Sequence, residues 1–161
     1  MEDRTLLNNI KEIQAKSNLH ESNYLINKLG SVDLDVEMET GTGKTSLINV
    51  AVGLKFKEDV MTTGSSSYIQ KVISIGKDKY TINLWDTIGQ EKYRALTKIF
   101  IKDSKIVIFV YDITKKESFD NLDTWINSIN DSLGESKGYL VVLIGNKLDI
   151  AEESPNLRQV T

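Results

Sequence analysis

Two unbroken apolar runs, Ile106-Val107-Ile108-Phe109-Val110-Tyr111 and Leu140-Val141-Val142-Leu143-Ile144, constrain the fold of this chain more than any other feature. A strand with one wet face alternates apolar and polar residues. A run that is apolar at every position and rich in β-branched side chains suits a strand buried on both faces, as in a parallel sheet between helices. Between the two runs Phe119, Leu122, Trp125, Ile126, Ile129 and Leu133 recur at helical spacing, with Gly134 as a stop. The result is a strand–helix–strand unit with an expected right-handed crossover, and an α/β fold class.

Upstream, Tyr68 to Ile75 and Lys79 to Trp85 read as short strands joined at Gly76-Lys77-Asp78, a separation that suits a hairpin. That predicts one antiparallel edge strand in an otherwise parallel sheet, with helices on both faces. Leu47, Ile48, Val50 and Ala51 mark a helix after Lys44, and Tyr93, Leu96, Ile99 and Phe100 mark another after Gly89-Gln90-Glu91. Residues 1–31 are expected to form an N-terminal extension with two weakly amphipathic pieces (Leu6, Leu7, Ile10, Ile13; then Tyr24, Leu25, Ile26, Leu29), solvated or loosely docked, or else a partner-binding arm. Residues 32–161 form the domain.

Composition narrows the function classes. A net charge of -3 gives no electrostatic case for nucleic acid or anionic membrane as the main partner. With no cysteine, disulfides, thiolate metal sites and prenylation are excluded for this sequence, and Glu2 leaves no myristoylation glycine. The longest apolar runs are too short to span a bilayer, and residues 1–20 lack a signal-peptide core. The expectation is a soluble, cytoplasmic protein without its own lipid anchor, reaching membranes only through partners.

Three motifs stand in order along the chain. Gly41-Thr42-Gly43-Lys44-Thr45-Ser46 opens the first helix. A polyphosphate is held without covalent bonds by backbone N–H groups and the positive end of a helix, and the glycines permit that close approach. Lys44 adds a point charge for the outer phosphates, and Thr45 adds a hydroxyl for Mg²⁺. Trp85-Asp86-Thr87-Ile88-Gly89-Gln90-Glu91 follows a strand. There Asp86 is a magnesium carboxylate, Gly89 offers an amide to the γ-phosphate, and Gln90 can orient an attacking water; phosphoryl transfer needs mainly such positioning. Asn146-Lys147-Leu148-Asp149 follows the second apolar run. Guanine presents two adjacent donors that a carboxylate matches with two parallel hydrogen bonds, which makes Asp149 the base reader, with Asn146 bracing the loop and the stem of Lys147 across the ring. Taken singly, each motif could be an ordinary Gly-rich turn or a surface tetrapeptide; the ordered set is far more specific.

With these motifs, and with Tyr93-Arg94-Ala95-Leu96-Thr97 and Val110-Tyr111-Asp112-Ile113-Thr114, the chain resembles the Ras superfamily of small GTPases, its Rab branch most closely, over roughly residues 38 to 150. The resemblance implies a P-loop G-domain that binds GTP or GDP with Mg²⁺ and hydrolyses GTP. Its partners would be effectors, an exchange factor and an activating protein in vesicle traffic. It also implies that Thr63 closes over metal and γ-phosphate, giving Thr45, Thr63 and Asp86 as the metal set and Gln90 with Lys44 as the catalytic pair. The alternatives are a non-cycling interaction module of the same fold and a P-loop ATPase or nucleoside kinase; Asn146 to Asp149 speaks against the latter.

Departures from the family pattern carry expectations of their own. Met38 occupies the first glycine position of the phosphate loop, and Ile88 stands where the family usually has alanine. The two large side chains are expected to crowd each other when the switch closes on GTP. Val32-Asp33-Leu34-Asp35-Val36-Glu37 alternates apolar and acidic where a central parallel strand should be apolar. The family's last strand, last helix and second base loop have no counterpart, so the acids are expected to face water on a sheet surface left open, unless the sequence itself is truncated or wrongly assembled.

Overall fold

The computed structural model describes residues 31–58, 64–75, 77–88, 101, 104–133 and 139–161. The elements are β1 (Ser31–Glu37), α1 (Lys44–Ala51), β2 (Ser67–Ile75), β3 (Asp78–Asp86), β4 (Ile106–Asp112), α2 (Lys116–Asp120), α3 (Leu122–Leu133), β5 (Leu140–Asn146) and α4 (Leu148–Glu153). A short 3₁₀ turn, Pro155–Leu157, follows α4. The expected helix around Tyr93 to Phe100 and both amphipathic pieces of the extension lie outside the described residues.

The strands form one sheet in the order β2-β3-β1-β4-β5. β1 pairs in parallel with β3 and β4, β4 in parallel with β5, and only the β2–β3 hairpin is antiparallel. This is the mixed α/β sheet that the two apolar runs and the hairpin spacing predict. The helix between the runs is divided: α2 ends at Asp120, the next residue Asn121 caps it by donating its N–H to the Glu117 carbonyl at 3.0 Å, and α3 begins at Leu122. Leu122, Trp125, Ile126 and Ile129 repeat at three- and four-residue spacing, so one stripe of α3 is buried against Val107 and Phe109 of β4. On the opposite face Ile48 of α1 packs with Leu34, Val36, Leu84 and Val110. No helix among the described residues is long and apolar enough to cross a membrane.

The acidic alternation of β1 lies the other way from the expectation. Side chains along a strand alternate between faces. Val32, Leu34 and Val36 are turned to the α1 side, where the cluster around Ile48 buries them, so Asp33, Asp35 and Glu37 fall on the α3 side. Asp35 and Glu37 do not meet water there, since both are fully buried. Neighbouring polar groups take the place of solvent. Asn83 on β3 donates its side-chain amide to Asp33 at 2.6 Å, and the Ser104 hydroxyl donates to Asp35. Glu37 has no such donor among the described residues.

Candidate functional site

The chain leaves β1 at Met38 with φ 132°, a backbone region nearly reserved for glycine. This takes residue 38 out of the strand's alternation, and its side chain enters the core with Ile101, Phe109, Leu122 and Trp125, fully buried. Ile88 is half-buried and is not among the hydrophobic side chains packed on that cluster. Met38 is thus spent on the core, while the expected crowding belongs to a switch closed on GTP, whose residues from Gly89 onward lie outside the described ones. The glycine-like backbone of the loop entry is kept at a local conformational cost of about 1–3 kcal/mol.

Beyond Met38 the loop turns through Gly41 (φ 86°) and Gly43 (φ 95°) into α1. Glu39 accepts from the Asn121 side-chain amide, which fastens the loop to the α2–α3 junction. The Thr42 hydroxyl donates to the Glu39 carbonyl at 3.1 Å. Lys44, the first residue of α1, is buried, and its ammonium donates to the carbonyls of Met38 at 2.7 Å and Glu39 at 2.8 Å. Its side chain thus spans the ring of the loop. Burial pushes its pKa down to about 8, against the opposing pull of Glu37, Asp86 and Glu39. Ser46 follows in the first turn of α1, half-buried.

The end of β3 meets this loop. The Thr45 hydroxyl donates to Asp86 Oδ2 at 2.7 Å, although the two are 41 residues apart. Asp86 Oδ1 is buried and has no hydrogen-bond partner among the described residues. Burial raises the Asp86 pKa, with the Thr45 bond and Lys44 opposing. A buried carboxylate oxygen left over beside a threonine hydroxyl fits a hard cation that prefers oxygen ligands and keeps its own waters, as Mg²⁺ does. Next along the chain, the Thr87 hydroxyl donates to the Val36 carbonyl at 2.6 Å, so its proton is committed there rather than to Glu37. Burial, reinforced by Asp35 and opposed by Lys44, holds the Glu37 carboxyl well above the usual carboxylate range.

The third motif closes on the first. Asn146, the last residue of β5, donates its side-chain amide to the Thr42 carbonyl at 2.8 Å. A Cβ on Gly43 would stand 2.3 Å from that same amide nitrogen, so the close approach requires glycine. Lys147 adopts φ 68° and turns the chain into α4, which places Asp149 exposed in the first turn of that helix. The Lys147 ammonium pairs with Asp112 Oδ2 at 2.6 Å.

The structure thus brings together Gly41 to Thr45, Asp86 and Asn146, with Lys147 and Asp149 on the adjoining turn. Thr63, Gly89 and Gln90 lie outside the described residues. Sequence reasoning missed Asp112, Glu39 and Asn121 as supporting groups. For Asp112 a signal existed: an acid ending an apolar strand, with threonine two residues on, is the pattern of an Asx turn.

The family model described as the Ras family matches residues 38–161. The chain belongs to the Ras family. Among curated relatives, this Ras-family chain is similar to the Ypt/Rab-type GTPase ypt7 of Schizosaccharomyces pombe, 33% identical over 117 residues, which are 71% of this chain and 57% of that protein. It is also similar to human Ras-related protein Rab-7b, 37% identical over 113 residues (70% of this chain, 57% of the relative). Human Ras-related protein Rab-21 is 36% identical over 111 residues, 69% of this chain and 48% of the relative. The chain spans about half the length of these relatives, and it is a Rab-like member of the family.

Proposed function

We propose that this chain is a GTP-binding switch of Rab type, which holds GTP or GDP with Mg²⁺, hydrolyses GTP to GDP and serves vesicle traffic. The observation that carries the reading is the Asn146–Thr42 bond, which locks the base-reading turn onto the phosphate loop in a single body. In this reading the loop amides around Gly41 to Lys44 bind the phosphates, and the Lys44 ammonium moves from the Met38 and Glu39 carbonyls onto the outer phosphate oxygens. Thr45 and Asp86 hold the metal, with Thr63 completing its set. When bound, Mg²⁺ neutralises charge on the β- and γ-phosphates. Gly89 offers its amide to the γ-phosphate, and Gln90 orients the attacking water. Asp149 reads guanine through its two adjacent donors. Effectors, an exchange factor and an activating protein are the proposed protein partners, acting in the cytoplasm and bringing the chain to membranes.

The decisive experiment is competition between GTP and ATP for the purified full chain. A site that buries a matched polar group rejects mismatched ligands by roughly 10⁴ or more. Asp149→Asn is expected to move preference towards xanthine nucleotides, whose extra carbonyl suits an amide. Equal affinity for ATP and GTP in the unmodified chain would sink the guanine assignment.

A further inference from the structure

Asp112 closes β4 beneath the base-reading turn with its side chain only 1% exposed. Every arm of it is engaged. The N–H and hydroxyl of Thr114 both donate to Oδ1, at 2.9 Å and 2.6 Å, while Oδ2 faces the Lys147 ammonium at 2.6 Å. Its own N–H donates to the Ser118 hydroxyl at 3.0 Å, and that hydroxyl in turn donates to the Lys115 carbonyl at 2.7 Å. The next residue, Ile113, donates its N–H to the Asn146 carbonyl at 3.1 Å, and its own carbonyl accepts from the N–H groups of Gln159 and Val160. Burial would lift the Asp112 carboxyl, but the bonds from Lys147 and Thr114 outweigh it and hold its pKa below the usual range. The carboxylate therefore remains charged through the neutral range.

Lys147 needs this support. Its φ of 68° is a left-handed conformation that a non-glycine residue keeps only when its surroundings fix it. An ammonium on a four-carbon stem also has many rotamers. Pinned at both ends, by the turn and by Asp112, the stem has one course, alongside the turn that carries Asp149.

We propose that Asp112 is the positioning residue of the base site: by holding the Lys147 ammonium it fixes the Lys147–Asp149 turn in its base-receiving form before any nucleotide arrives. This rests on the guanine reading above. Asp112 acts through Lys147 and touches no ligand itself. Its effect belongs to the base half of the site and leaves unchanged the phosphate loop, whose own bonds run from the Lys44 ammonium to the Met38 and Glu39 carbonyls and do not pass through Lys147.

The test compares GDP with inorganic pyrophosphate on the full chain by titration calorimetry. Asp112→Asn keeps the shape and the Thr114 acceptor but removes the charge. It is expected to weaken GDP by about 10- to 150-fold, the equivalent of one charge-assisted hydrogen bond, while pyrophosphate affinity stays within about twofold. In a Lys147→Met background the same substitution should add almost nothing, because its route is gone. Should Asp112→Asn fail to fold, Thr114→Val removes a single bond to Oδ1 and is expected to weaken GDP about 2- to 10-fold. Equal losses for GDP and pyrophosphate, undiminished loss in the Lys147→Met background, or an unaltered Thr114→Val would each overturn the proposal. If the unmodified chain binds pyrophosphate yet prefers GDP no more than ADP, the guanine reading falls and this inference with it; GDP affinity left undiminished by Asp112→Asn in a chain that does prefer GDP sinks this inference alone.

Discussion

The side-chain amide of Asn146 donates to the carbonyl of Thr42 at 2.8 Å, joining residues that stand 104 apart in the chain. The bond spans the two halves of the site, and it is possible only because Gly43 has no side chain. Gly43→Ala combines two penalties: a methyl group 2.3 Å from the Asn146 nitrogen and a φ of 95° that L-residues rarely adopt. The amide must swing away, which breaks the bond to Thr42. We expect a stability loss of about 1–3 kcal/mol in urea denaturation and loss of nucleotide binding. A variant with unchanged affinity for GDP would show that the two loops need not be joined.

Asp35 and Glu37 are expected to make the folded chain less stable as pH rises through the acid range. Burial, partly offset by the Ser104 bond and reinforced by Asp33, raises the Asp35 pKa from 3.8 to about 6. The unfolded chain therefore releases this proton first as pH rises. Below pH 3.8 the carboxyl is neutral in both states and costs nothing in charge; between 3.8 and about 6 stability falls, and above that it remains at its lower level. The loss is on the order of 3 kcal/mol. Glu37 acts in the same direction over a window that begins at 4.5 and runs higher. Asp35→Asn keeps an acceptor for Ser104 and should raise stability at pH 7 with little change at pH 3. Thermal melts across this range check the sign; a gain that is larger in acid would contradict it.

Met38 sets core packing against backbone strain. Met38→Ala empties space beside Phe109, Leu122 and Trp125 while keeping the strained φ, and is expected to cost about 2–5 kcal/mol. Met38→Gly loses the same packing but relaxes the backbone by about 1–3 kcal/mol. The glycine variant should therefore be the more stable of the two, the reverse of the usual order. Affinities for GDP and a GTP analogue should move together in both variants, since the methionine lies in the core. Denaturant midpoints and paired titrations check both statements.

Hydrolysis by the isolated chain should be slow. No arginine occurs between Gly43 and Asp86, so that segment supplies none to stabilise charge on the transferring phosphoryl group. An arginine given by a second protein is worth roughly 10³ to 10⁵ in rate. Gln90→Leu should suppress both basal and stimulated turnover, measured as single-turnover phosphate release. Fast release by the unaided chain would contradict this expectation.

The sequence by itself determined the sheet and the motifs. Apolar runs at every position, helical spacing between them and the hairpin separation are local signals, and they dictated β4, α3, β5 and the β2–β3 pair. Glycine-bearing turns likewise marked the phosphate loop, because only residues without a Cβ accept its positive φ at no steric cost. What the tertiary structure decided was direction and partnership. The alternation in β1 fixed that its three acids share a face, but the choice of face came from the packing of Ile48 on Val36 and Leu84. Met38 stands where the family pattern has glycine, and only the fold shows that its side chain joins the core beside Phe109 and Trp125. Asp112 is an ordinary charge in sequence, and the motif that marks Asn146 and Lys147 does not say which groups they bond within the protein. Their pairings depend on distances across strands that no local pattern encodes, since contacts between distant residues exist only once the sheet has set them side by side.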